Sequence, residues 1–339
     1  MTSPGRPGRS VESPALPCPP GARSLLVCID YEGRWGMPFG APYDLEASTE
    51  RILAALARHG VAATFFMVGE LAIEHPELTR AISSAGHEIA LHGWRHERLD
   101  RLSTRELVSF GERLAYATAA IETITGTRPA GFRAPYLLAP RFFDAELYAL
   151  LAGHGFRWAS NQEIRHVVEL FRPDRLRTGR PWQYLRSHPG LMRGAGARAL
   201  LLALNANIHG PTSLRREGAK ARWLLSGYPP FYRDALLEIP LYSPLDCDLL
   251  KFPAPSASSP EPLLDFARFA LESCLTCARD LSMLTFHDWI IAGANRLDLL
   301  DEVLSFVSQV KLQPVTVEMW WSRLAQRRQQ TPGQVDLNR

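Results

Sequence analysis

From about residue 24 to residue 317, short apolar runs alternate with longer stretches in which apolar residues recur every three to four positions. The runs SLLVCID (24–30), AATFFMV (62–68) and HEIALH (87–92) have the length and β-branched or aromatic content of buried strands. Between the first two, DLEASTERILAALARHG (44–60) predicts an amphipathic helix, with Asp44 as N-cap and Gly60 closing it. A second helical stretch over 70–85 is divided by Pro76. A third, 103–126, opens on a Ser103/Glu106 capping box and ends at Gly126. Short strands are expected near 130–133 and 156–159, with a helix over 140–153. The pattern resumes with EIPLY (238–242), a helix over 261–279, SMLTF (282–286), a helix over 296–310 and PVTV (314–317). Strands alternating with helices predict βαβ units and a mainly parallel sheet. Their number fits a closed or partly closed α/β barrel, in which active-site residues gather at the C-terminal ends of the strands.

Three segments break this rhythm. Residues 1–22, rich in Pro, Gly, Ser and Arg, read as a disordered leader, and 327–339 as a flexible tail. That leaves one domain over 23–326, interrupted at about 172–233 by an insertion with about a dozen Arg or Lys and only two acidic residues. The insertion also carries the apolar ALLLALNANI (199–208) and the aromatics Trp182, Trp223 and Tyr228, and is expected to be mostly helical pieces.

Composition changes this picture little. With 46% hydrophobic and 22% charged residues in 339, the chain is expected to be globular. A formal net charge of +3 gives no general support for nucleic-acid binding. Of the five cysteines, Cys274 and Cys277 form a lone C-x-x-C in a helical pattern and Cys28 lies inside an apolar run, so inert thiols in a reducing compartment are expected. Neither a signal-peptide core nor an apolar run of membrane-spanning length is visible, and a cytoplasmic location is the expectation.

Four motifs carry chemistry, each directly after a predicted strand. Asp30-Tyr31-Glu32-Gly33 places two acids two residues apart at a strand end. His92 and His96, in HGWRH, are four residues apart, a spacing that within one helical turn aims two imidazoles at one metal. Arg133-Ala134-Pro135-Tyr136 offers a permanent cation able to hold a carboxylate ionised, and a stiff turn presenting Tyr136. His287, in LTFHDW, ends a further apolar run on the same expected rim, where a general acid is a better reading than a core histidine.

In this order the four motifs resemble those of the polysaccharide deacetylase (NodB-homology, carbohydrate esterase) family. AATFFMVGELAIEHPEL and AGHEIALHGWRHE are similar to the family's approach to its paired histidines. The resemblance covers about 24–160 and resumes near 237–320. It implies a distorted (β/α) barrel of about seven strands. It further implies a divalent metal, most often zinc, held by Glu32, His92 and His96. By the same resemblance Asp30 is the base that deprotonates water, Arg133 keeps Asp30 ionised, the backbone N–H of Tyr136 helps hold the oxyanion, and His287 protonates the departing amine. The implied activity is removal of an N-acyl group, N-acetyl foremost, from an amino sugar or glycoconjugate.

The sequence also departs from the family's pattern. Its acids are spaced by Tyr31 rather than adjacent, which leaves open which of Asp30 and Glu32 is base and which is ligand. Gly93 stands where a small hydroxyl residue is usual. The aspartate expected within FRWASN (156–161) is replaced by Ala159, leaving Ser160, Asn161 or Asp288 to tune His287. With no export signal seen, the expected substrate is made inside the cell. An Arg-rich insertion suits a phosphate-bearing or lipid-linked sugar, or peripheral contact with the inner membrane face. The rival readings are a deformylase or amidohydrolase on a lipid-linked or non-sugar amide, and a catalytically inactive carbohydrate-binding barrel. Nothing in the sequence addresses oligomeric state.

Overall fold

The computed structural model describes residues 23–36, 43–99, 102–137, 145–162, 230–233, 235–241, 246, 281–292, 299–309 and 312–330. The expected leader 1–22, nearly all of the 172–233 insertion, the helix over 261–279 and the cysteines other than Cys28 lie outside them.

Among the described residues, nine strands form one sheet. They are β1 (Arg23–Tyr31), β2 (Thr64–Met67), β3 (Glu88–Leu91), β4 (Gly131–Phe132), β5 (Trp158–Ala159), β6 (Phe231–Arg233), β7 (Leu236–Glu238), β8 (Leu281–His287) and β9 (Leu312–Val315). Their order is β6-β7-β5-β4-β3-β2-β1-β8, with β9 also on β1. From β7 to β8 every pairing is parallel, giving the barrel-type run of strands that the sequence predicts. The path has two ends among the described residues, so the sheet is curled and open rather than a closed ring.

Two expectations at the margins are corrected. Phe231–Arg233, assigned above to the end of the insertion, is an antiparallel edge strand whose Phe231 pairs with Glu238. The 327–339 tail starts too early, because a helix beginning at Val317 continues unbroken to Gln330. In both places the sequence signal was compositional, whereas backbone pairing decided the structure.

The described helices are α1 (Leu45–Arg58), α2 (Gly69–Glu74), α3 (Pro76–Ser84), α4 (Thr104–Thr125), α5 (Ala145–Gly153), α6 (Asp288–Ile291), α7 (Leu299–Gln309) and α8 (Val317–Gln330); all but α6 and α8 follow the predicted pattern. Asp44 caps α1 by accepting from the Ala47 N–H. Ser103 and Glu106 form the capping box of α4, and Gly126 closes that helix at φ 75°. Pro76 starts α3 as a first-turn residue, where its missing N–H costs nothing.

Alternation along the strands sorts the core into two faces. In β1, Leu25, Val27, Ile29 and Tyr31 pack toward the helices, with Ile52 and Leu56 of α1 and Phe110 and Leu114 of α4. The intervening Leu26 and Cys28 face the inside of the curl with Phe66, Ala90, Trp158, Leu237 and Met283. Trp320, Trp321 and Leu324 of α8 pack against this inner cluster. Continuing the inner parity to the C-terminal strand ends reaches Asp30 after Cys28, His92 after Ala90, Ser160 after Trp158 and His287 after Met283 and Thr285. The polar residues therefore collect at the rim of an apolar interior.

Candidate active site

Asp30 and His287 are register partners on adjacent strands β1 and β8, which sets their side chains beside each other at the rim. His92 follows β3 and Arg133 follows β4, and the His92 N–H and the Arg133 N–H continue the sheet bonding to Met67 and Leu91. Asp30, Glu32, His92, Arg133 and His287 are all buried.

Glu32 is the centre of the arrangement. Its Oε1 lies 3.2 Å from His92 Nε2, 2.9 Å from His96 Nε2 and 3.7 Å from His287 Nε2. Burial opposes its charge, yet His287 and His96, with hydrogen bonds from His92 and His96, hold its carboxyl well below the usual range. His92 Nδ1 is 3.0 Å from the Arg133 carbonyl oxygen and donates to it, which orients the ring so that Nε2 is the nitrogen facing Glu32. Glu32, His92 and His96 thus offer one carboxylate oxygen and two imidazole nitrogens within 4.8 Å of one another. This donor set suits a divalent ion of zinc type with positions left for other ligands. Asp30, Glu32 and His287 form a second cluster within the same limit.

His96 does not reach Glu32 by a helical turn, as its spacing from His92 suggested. The carbonyls of Gly93 and Trp94 accept from the Gly69 and Glu70 N–H groups at the start of α2, so they are taken before a helix can use them. The carboxylate of Glu97 accepts from the Trp94 and Arg95 N–H groups and pins the loop. Gly93 at φ 74° and His96 at φ 56° then bend the chain back toward Glu32. A non-glycine residue held in the left-handed region at such a place is a local strain that surrounding contacts must maintain.

Arg133 is completely buried and its Nη1 donates to Asp30 Oδ1 at 2.5 Å. Its guanidinium lies 3.7 Å from the centroid of the Phe66 ring, and Nη2 donates to Ser160 Oγ at 3.1 Å. Asn161 Oδ1 accepts the Ala134 N–H at 2.8 Å, securing the turn that carries Tyr136. Tyr136 has φ 58°, is half exposed, and its ring centroid lies 4.5 Å from that of His96, the two planes tilted by 50°.

His287 is served by a residue the sequence reading missed. Asp246 accepts from the His287 N–H at 2.7 Å and lies 2.5 Å from Nδ1, leaving Nε2 toward Glu32. Burial disfavours the charge on His287, but Asp246 and then Glu32 push its pKa up to about 10. None of the three residues considered for this task performs it. Ser160 holds Arg133 and Asn161 holds Ala134. Asp288 turns its carboxylate to the Glu32 and Gly33 N–H groups at 2.9 and 3.1 Å and to Tyr43. An acid shortly after the EIPLY run was the available signal, but only spatial adjacency singles it out.

Cys28 is buried beneath this site, and burial pushes its thiol up to about 12, in keeping with an inert role. No helix among the described residues is long and apolar enough to cross a membrane.

Residues 32–158 match the family model described as polysaccharide deacetylase. Over 88 residues the chain is 34% identical to the peptidoglycan-N-acetylglucosamine deacetylase PgdA of Listeria monocytogenes, a match covering 26% of this chain and 18% of that protein. A solved protein from Mycobacterium smegmatis assigned to the polysaccharide deacetylases superposes with a TM-score of 0.61 at 18% identity, covering 93% of this chain and 96% of that one. The Puue allantoinase superposes with a TM-score of 0.57 at 16% identity over 93% of each chain. At such identities these structures share the fold, and the allantoinase shows that the fold is not confined to sugar-directed enzymes. The segment 32–158, which contains Glu32, His92, His96, Arg133 and Tyr136, is thus the part of this chain that is similar to the polysaccharide deacetylase family.

Proposed function

We propose that the protein is a metal-dependent hydrolase that removes an N-acetyl group from an amino sugar or glycoconjugate. The observation that carries this reading is the meeting, at one buried rim, of a carboxylate–bis-imidazole cluster with two separate acid–base pairs. Glu32, His92 and His96 would hold a divalent cation, zinc by donor type. When bound, it supplies Lewis-acid polarisation of the acyl oxygen and acidifies water. Asp30, kept anionic and aimed by Arg133, accepts the proton from the attacking water. The backbone N–H of Tyr136 donates to the oxygen that gains charge as the carbonyl carbon becomes tetrahedral. His287 holds its proton at neutral pH through Asp246 and delivers it from Nε2 to the departing nitrogen, so that acetate and a free amine result. The PgdA match supports the amino-sugar substrate class. The phosphate-bearing or lipid-linked form of that substrate is part of the proposal, resting on the basic composition of 172–233.

The test combines elemental analysis with acetate release from N-acetyl amino sugars, free, nucleotide-linked and lipid-linked, for the wild type and His92→Ala. About one metal per chain, lost in the variant together with acetate release, is expected. A metal-replete wild type that releases no acetate but opens cyclic or formyl amides would replace the substrate assignment. Failure to bind any metal would remove the mechanism.

A further inference from the structure

We infer that Trp289 is a positioning residue that binds the second oxygen of Glu32 and so holds this ligand in one-oxygen coordination; the inference rests on Glu32 serving the metal as proposed above. The indole Nε1–H donates to Glu32 Oε2 at 2.8 Å, while Oε1 is the oxygen that faces His92 and His96. The two carboxylate oxygens are therefore already divided between a protein donor and the ligand cluster. Trp289 is buried and its ring lies 5.4 Å from that of His287.

The surroundings reinforce the contact from two directions. Residues His287, Asp288 and Trp289 each address Glu32: His287 Nε2 faces Oε1, Asp288 accepts the backbone N–H, and Trp289 donates to Oε2. Backbone and side chain of Glu32 are thereby held by one short segment. On the opposite side, Gly36 closes over the hydrogen bond. A Cβ built there would overlap both Glu32 Oε2 and Trp289 Nε1, so only glycine leaves room for the pair.

A carboxylate whose free oxygen is tied back cannot swing to chelate with both oxygens, and a position on the ion stays open for substrate and water. The hydrogen bond also preserves the orientation of the ligand before any ion arrives. The spaced Asp30–Glu32 pair fits this arrangement, because the longer glutamate arm reaches the histidines with one oxygen and the indole with the other.

Zinc affinity of the purified full chain, measured by competition with a chromophoric chelator, tests the inference. The proteins compared are the wild type, Trp289→Phe, Gly36→Ala and the double variant, with thermal unfolding of the apo-proteins recorded alongside. Phenylalanine keeps the aromatic packing and removes the donor. We expect zinc binding weakened about 10- to 100-fold in Trp289→Phe, a loss in the same direction in Gly36→Ala, and no further loss when the two are combined. Unfolding temperature alone does not account for this pattern, since a packing defect would lower it without touching affinity. Zinc affinity in folded Trp289→Phe within twofold of wild type would overturn the role of the indole while leaving the metal centre standing. Losses that multiply in the double variant would overturn the shared contact. A wild type that takes up no zinc or other divalent ion would overturn the metal centre and this inference together.

Discussion

Glu32 and His287 are both buried and both carry shifted acid–base behaviour, but for opposite reasons, which suit the opposite roles proposed for them. Glu32 is surrounded by imidazoles that favour its anion, as a ligand requires. His287 is backed by Asp246, which favours its cation, as a general acid requires. The sign of a perturbation follows directly. Removing the anion with Asp246→Asn lowers the pKa of His287 from its raised value of about 10, so the acid loses its proton earlier as pH rises. The alkaline limb of the kcat/KM profile of Asp246→Asn should move to lower pH, with kcat reduced more than KM is raised. An unmoved alkaline limb would mean that another group donates the proton. At the same scale, the Arg133–Asp30 pair is completely enclosed, so Arg133→Met leaves an uncompensated buried carboxylate and should destabilise the fold by about 3–5 kcal/mol in urea unfolding.

Among the elements, the helices owe their ends to a few side chains and their placement to one apolar face. In α4, Ser103 accepts the Glu106 N–H, and Glu106 reciprocates by accepting the Ser103 N–H at 2.8 Å. Replacing Ser103 with alanine removes one half of this exchange and should cost about 1 kcal/mol of global stability without altering acetate release. A change in metal content or in kcat in that variant would show that α4 is coupled to the site more tightly than its position suggests. The loop after β3 is a contrasting case. Its HGWRH spacing reads as a helical turn, yet its carbonyls bond to the start of α2 and the chain bends through two positive-φ positions. The residue types for a metal site were legible there, and the backbone path was not, because the hydrogen bonds that determine it come from another element.

For the whole molecule, the barrel interior is closed from below by α8. Val317 N–H donates to Thr64 Oγ1, and Glu318 N–H donates to Glu88 Oε2, so the first turn of α8 is anchored on β2 and β3. Burial is the main cause that pushes the Glu88 pKa up to about 7, hydrogen bonds from Thr64 and the Glu318 backbone pulling the other way. An acid with a raised folded-state pKa contributes stability that is complete below its unfolded value near 4.5 and is lost as pH rises through about 7. Glu88→Gln keeps the shape and stays neutral. The variant should therefore lose less stability than wild type between about pH 5 and 8, with a difference on the order of 2 kcal/mol by pH 8 in chemical denaturation. Parallel stability curves for the two proteins would show that Glu88 is ionised in the fold at a cost too small to matter.

The amino-acid sequence alone determined the strand–helix alternation, the caps of α1 and α4, and the fact that Asp30, His92, Arg133 and His287 stand at strand ends. These are local properties: apolar periodicity sets which face of a strand is buried, and the point where a run stops marks its end. The resemblance to the polysaccharide deacetylases was legible for the same reason, since its motifs are short and ordered. The pairing of Asp246 with His287, 41 residues apart, and of Trp289 with Glu32, 257 residues apart, was decided only by the tertiary structure. Strand order and register bring these groups together, and neither is encoded in the spacing between them. Ser160, Asn161 and Asp288 were the partners the sequence offered for His287, but a hydrogen bond is made by position and direction, and those exist only once the sheet has curled.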